Sequence, residues 1–217
     1  MLANKAALFD RTERLSVADA IRQRRSVGLF QPDRSLPTGT VESLLELTAR
    51  APSAYNLQNW KFIAVETPEA KARLREAAYG QAQIGDASVT IIVCGTLEGW
   101  NGLAETLAPS VEAGILPEAM AESWVEAVRT THTDSQQLQR DEAFRSASLA
   151  AMTLMLAAEE MGLATGPMSG FDADAVSAGF GLSPTEIPVM LVTLGYAAEG
   201  SWPQKPRRPT EDVLVRA

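Results

Sequence analysis

The chain has little of what most catalytic machinery is built from. In 217 residues it has one histidine, His132, and one cysteine, Cys94. One cysteine excludes an internal disulfide framework and a cysteine-built zinc site. One histidine leaves little room for a histidine metal cluster or a Ser-His-Asp triad. Cys94 lies in the apolar run 89–96 and reads as a buried, inert thiol; His132 lies in the polar stretch 130–139 and reads as an exposed loop residue. The longest apolar stretch, 147–158, falls short of the roughly 18 residues of a membrane span. Residues 4–14 mix apolar and charged side chains with no continuous apolar segment, so no signal peptide is visible and a cytoplasmic protein is expected. No G-x-G-x-x-G follows a strand and no G-x-x-x-x-G-K-[ST] occurs, so neither a Rossmann dinucleotide site nor a P-loop is supported. Positive charge is also scarce: the formal net charge is -8, with no basic stripe, which argues against a nucleic-acid partner.

Against that acidity, two basic knots stand out. Arg22, Arg24 and Arg25 crowd ahead of Ser26, and Lys205, Arg207 and Arg208 crowd near the C-terminus. Local positive charge on an acidic protein serves one bound anion better than a polyanion. Guanidinium forks and a hydroxyl are the donors that a terminal phosphate takes. The first knot also fits a plainer role, a helix end whose arginines complement the helix dipole.

The pattern along the chain alternates helices with strands. Ser16, with Asp19 three residues on, caps a helix running to about Arg24. Thr38 or Thr40 caps a second, bearing Val41, Leu44, Leu45 and Leu47, which ends before Pro52. Residues 61–66 alternate as a strand, Pro68 opens a helix, and 89–96 is a buried strand. The pattern loosens over 97–139, where only 118–129 reads as helical. Residues 141–161 form a long helix, apolar on almost every face between 147 and 158 and rich in alanine. A strand over 163–168, a helix capped by Asp172 and a strand over 189–196 follow. This predicts an α/β (α+β) chain, one domain over 1–217 with a central mixed sheet flanked by helices. It also predicts an excursion at 97–139 and a tail, 200–217, whose apolar Val213-Leu214-Val215 must dock elsewhere.

Two loops add polar and conformationally free residues. Ala51-Pro52-Ser53-Ala54-Tyr55-Asn56-Leu57-Gln58-Asn59-Trp60 is irregular and polar, and fits either a binding loop or a capping turn. Gly166-Pro167-Met168-Ser169-Gly170-Phe171-Asp172 has glycines at both ends, which permit close backbone approach, and leads into a helix N-terminus.

Taken together, R-R-S, A-P-S-x-x-N-x-Q-x-W, G-L-x-x-x-P-x-x-G-F-D and K-P-R-R-P, in this order and spacing, resemble the nitroreductase family of FMN-dependent oxidoreductases. The resemblance runs from about Ser16 to Leu214 and is weakest over 97–139. It implies an intertwined homodimer with FMN at the interface. Arg24, Ser26, Lys205 and Arg207 match positions that hold the ribityl phosphate, and Arg25 one whose backbone contacts the flavin. Pro52, Ser53, Ala54 and Asn56 match a loop lent by the opposite subunit. Pro167, Met168, Ser169 and Gly170 match the turn along the isoalloxazine ring, and Gln83, with Gln81 as a rival, a side chain at the pyrimidine edge. The tail would wrap onto the partner subunit. The family chemistry is ping-pong: NAD(P)H delivers hydride and leaves, and a small electron acceptor such as a nitroaromatic or quinone follows it. No catalytic side chain and no metal are implied. Trp100 and Trp124 are candidates to stack on a substrate, or to pack helices.

One position departs from the family pattern. Many members carry Lys or Arg two residues after the motif serine, near the flavin N1/O2 edge; here Gly28 stands there, which predicts a lower flavin potential. Two other readings are open: a specialised reductase of an enal, a semialdehyde or a halogenated phenol, and a flavin-binding homodimer without turnover.

Overall fold

Every residue from Val89 to Cys94 is buried, and the computed structural model makes this run one of two inner strands. The structure describes residues 15–217; the 4–14 segment read for a signal peptide lies outside the described residues. The strands are β1 (Trp60–Val65), β2 (Val89–Thr96), β3 (Ala164–Met168) and β4 (Glu186–Gly195), ordered β1-β2-β4-β3. All three ladders are antiparallel; the parallel element is an isolated bridge from Ser26 to Thr165.

Alternation along the inner strands sends apolar side chains to both faces, and helices cover both. On one face Val89, Ile91, Val93, Val192 and Leu194 pack on Leu44 of α2 (Thr40–Thr48) and Ala147, Ala151 and Leu154 of α7 (Gln136–Glu160). On the other, Ile92, Cys94 and Leu191 meet Leu74 of α3 (Pro68–Ala77), Ile84 of α4 (Gln83–Asp86) and Val176 of α8 (Ala173–Phe180). The small residues of α7 let it press on the sheet: a Cβ at Gly95 would lie 2.8 Å from the Ala143 Cβ and 2.9 Å from its carbonyl oxygen.

Caps fix several element ends. Ser16 Oγ accepts from Asp19 N at 3.1 Å and opens α1 (Val17–Gln23). Asp172 Oδ1 accepts from Asp174 N and Ala175 N, both at 3.0 Å, and opens α8. The expected threonine cap of α2 is absent. Gly39 is its N-cap, in the left-handed region at φ 83°, while Thr40 lies inside the helix and donates from its hydroxyl to Pro37 O at 2.7 Å.

The 97–139 stretch holds more helix than its pattern suggests. After a 3-10 turn come α5 (Leu103–Glu112) and α6 (Glu118–His132). Pro109 lies within α5 and disguises it, because an interior proline removes a donor; buried Leu103 and Leu107 nonetheless pack it on Ala121 and Val128 of α6. Gln139 ties the segment's ends together. Its Oε1 accepts from Glu98 N at 3.1 Å, and its Nε2 donates to His132 O at 2.8 Å. His132 is therefore not an exposed loop residue. It is 5% exposed, in the last turn of α6, with Nδ1 3.1 Å from Val128 O. Trp100 and Trp124 join the same small core, and Trp124 meets the edge of Tyr55 at 5.8 Å between ring centroids.

Candidate functional site

The first basic knot leaves α1 and becomes part of the sheet edge. Arg24 caps α1, its N–H on Ala20 O. The chain then extends alongside β3, where Val27 N donates to Thr165 O at 2.9 Å. Gly166 is required for that approach. A Cβ there would sit 2.6 Å from Thr193 Oγ1 and collide with the Val27 carbonyl, so the glycine admits the protein's own backbone. The same segment captures the tail: Phe30 bridges Ala197, and Ala198 N donates to Leu29 O at 2.9 Å.

These pairings enclose a cavity of about 360 Å³ whose walls include Ser26, Gly28, Gln83, Pro167, Trp202 and Lys205. Segments from four regions of the sequence thus meet at the β3 edge. Lys205 is the titratable group among the lining residues, and its Nζ rests 5.0 Å from the centre of the Trp202 ring. Trp202 is 71% exposed and was not anticipated. It lies in irregular tail, where no periodicity assigns a direction to a side chain. Its spacing ahead of Lys205 was the available hint.

The other expected site residues surround the cavity or lie away from it. Arg24 and Arg25 are half-buried, and neither pairs with a carboxylate in the described residues. Arg25 lines a neighbouring polar hollow together with Glu159. Arg207 lies on the exposed tail and donates from Nη1 to the Lys205 carbonyl at 2.6 Å. Met168 is buried and touches the Gln83 amide. Ser169 and Gly170 are exposed just beyond β3. Gln81, the rival of Gln83, is not among the lining residues; it donates from Nε2 to Gly170 O at 2.7 Å.

Pro52, Ser53, Ala54 and Asn56 do not join this cavity within one chain. Their loop leads into β1, the edge strand opposite β3. The register puts Trp60 level with Gly95 and Ile187, at the start of β4, whereas Ala164 pairs with Gly195 at its end. Loop and cavity therefore occupy opposite corners of the sheet. The loop is conformationally costly, with Tyr55, Asn56 and Gln58 at φ 51°, 59° and 47°, and left-handed non-glycine residues cluster at functional sites. Ser53 Oγ accepts from Gln58 N at 2.9 Å and holds the turn.

Cys94 offers no reactive thiol: burial pushes it up to about 12. No helix among the described residues is long and apolar enough to cross a membrane. Among the same residues, no group of three His, Cys, Asp or Glu side chains is placed to hold a metal ion. What the cavity at the β3 edge presents is two hydroxyls, a lysine ammonium, one amide and a glycine-lined wall. Such a set suits a planar ligand carrying an anionic group.

The nitroreductase family model matches residues 21–196. The chain belongs to that family, a family of oxidoreductases. It is 36% identical over 203 residues to the NADH dehydrogenase of Thermus thermophilus, covering 93% of this chain and 96% of that protein. It is 33% identical over 181 residues to YodC of Bacillus subtilis, named as an NAD(P)H nitroreductase, covering 83% and 89%. A protein of Exiguobacterium sibiricum solved in complex with FMN superposes with a TM-score of 0.86 at 26% identity, covering 95% of this chain and 100% of that one.

Proposed function

We propose that the protein is an FMN-dependent oxidoreductase that takes hydride from NAD(P)H and reduces a small acceptor such as a nitroaromatic or quinone. The observation that carries this reading is the cavity at the β3 edge, where Ser26, Gln83, Pro167 and Lys205 converge from distant parts of the chain. Its volume of about 360 Å³ lies within the usual span for small-molecule pockets, roughly 300–1,000 Å³.

The residues present fit the cofactor. Ser26 and Lys205 line the cavity, with Arg24 and Arg207 close by in sequence, and they supply the hydroxyl and cations that a phosphate dianion needs. Gly28 leaves room beside Gln83, since a Cβ there would come 3.1 Å from Gln83 Oε1. Gln83 is neutral and would hydrogen-bond a pyrimidine edge, while the Pro167–Gly170 turn would line a ring. FMN, when bound, supplies the two-electron chemistry, and the protein supplies position, local field and shelter from water. NAD(P)H would bind first and leave oxidised, and the acceptor would then take the same shelf, a ping-pong order.

A homodimer completes this reading. Pro52, Ser53, Ala54 and Asn56 sit at the sheet corner opposite the cavity, so a second copy would lend its loop, and residues 97–139 would form the lid. The tail 200–217 would dock on the neighbouring subunit and bury Leu214 and Val215, which are 48% and 90% exposed in one chain.

Replacing Lys205→Ala together with Arg207→Ala tests the phosphate assignment. Charge-assisted hydrogen bonds are worth about 1.5–3 kcal/mol each, so FMN affinity should fall by at least tenfold and by roughly a hundredfold if both contacts are lost. Unchanged affinity in a fluorescence-quenching titration refutes the assignment.

A further inference from the structure

We infer that Gln81 is a positioning residue: its amide fixes the Pro167–Gly170 turn and thereby the surface on which the flavin rests. The inference builds on the FMN reading above and goes beyond it, since Gln81 is not one of the cavity-lining residues.

Gln81 follows a tight turn that the chain forms at some cost. Tyr79 and Gly80 lie in the left-handed region at φ 56° and 77°. Gly80 N donates to Arg75 O at 2.9 Å, and Arg75 Nε donates back to Gly80 O at 3.1 Å. This turn aims the half-buried Gln81 at β3. Its Nε2 donates to Gly170 O at 2.7 Å, across 89 positions of sequence. A glycine is the soft point of any turn, because it has the widest choice of backbone angles. At Gly170 that freedom is opposed by this bond, which sets the plane of the peptide following Gly170.

The other half of the Gln81 amide extends the connection. Its Oε1 accepts from Gln83 Nε2 at 3.4 Å, and the same Gln83 nitrogen contacts Met168 Sδ. Gln83 Oε1 lies 3.1 Å from the point a Cβ at position 28 would occupy. The line Gly28–Gln83–Gln81–Gly170 thus joins one wall of the cavity to the turn on the other. The turn is also anchored downstream by Asp172 N donating to Ala77 O at 2.8 Å, so loss of the Gln81 bond should loosen the peptide at Gly170 without unfolding α8.

The test uses the full-length protein and FMN. Gln81→Met keeps the side chain's length and removes its donor; Gln81→Glu, which keeps the size and polarity, takes its place if the methionine variant does not fold. FMN affinity should fall five- to tenfold, the worth of about one neutral hydrogen bond. The bound flavin's reduction potential should shift, while the thermal midpoint of the FMN-free protein stays within a degree or so of wild type, roughly the effect of a few tenths of a kcal/mol. If wild type binds FMN and the variant matches it in both affinity and potential, the positioning role is wrong and the FMN reading stands. An affinity loss accompanied by an equal loss of stability in the FMN-free protein also overturns it, since Gln81 would then be merely structural. Failure of wild type to bind FMN at all overturns the functional reading instead.

Discussion

At the scale of single residues, Gly28 stands where the resemblance read from the sequence would put a cation. There the structure has an open backbone facing a neutral amide, with Gln83 Oε1 close to the missing Cβ. Arg25, the nearest candidate to replace that charge, lines the hollow shared with Glu159 rather than the cavity. With no cation at that wall, a negatively charged reduced flavin gains less from the protein. The bound flavin should therefore have a lower potential than in lysine-bearing relatives, and Gly28→Lys should raise it once Gln83 yields. A redox titration decides this; a wild-type potential equal to or above theirs rejects it. Residue types were read unevenly from sequence. Cys94 was legible as buried, because it ends the apolar run Ile91-Ile92-Val93-Cys94. His132 was not, because its polar neighbours are the solvent-facing side of a helix whose other side, with Ala121 and Val128, packs on Leu103 and Leu107 of α5.

At the scale of elements, α7 on the sheet organises the fold. Its alanines and Gly95 bring helix and strand closer than any larger pair would allow. Gly95→Ala puts a methyl within 3 Å of both the side chain and the backbone of Ala143. The backbone carbonyl cannot rotate away, so the expected cost is that of overpacking, about 1–3 kcal/mol. Urea unfolding should show a lower midpoint with an unchanged slope; an unaltered midpoint would mean that helix and sheet are less tightly joined. Strong periodicity made most elements legible: β2 runs over the residues expected, α1 and α8 start at the expected caps, and α3 starts at the expected Pro68. The failures have local causes. Gly39 rather than a threonine opens α2, Pro109 hides α5, and α7 starts at Gln136 instead of Asp141 because Ser135 Oγ caps it by accepting from Leu138 N at 3.2 Å.

At the scale of the whole molecule, charge and topology point to one kind of ligand. An acidic chain gathers Ser26 and Lys205 at one sheet edge beside glycine-lined backbone, with Arg24 and Arg207 close by in sequence. Family membership was legible from four short motifs read in order. The assembly of the cavity was only partly so. Sequence placed Ser26, Gln83, Pro167 and Lys205 in one site, but Trp202 emerged only once the tail was seen crossing Leu29. The separation of the Pro52–Asn56 loop from the cavity is a consequence of strand order, which no local pattern encodes. On the proposed reading, a second copy has to supply that loop.

The central claim, an FMN enzyme that accepts hydride from NAD(P)H, is tested most directly by an anaerobic visible spectrum of the pure protein reconstituted with FMN. A bound yellow chromophore should form, bleach on addition of NADH or NADPH, and recover when a nitroaromatic or quinone is supplied. Protein that stays colourless with FMN, or remains yellow with both nucleotides, would contradict it.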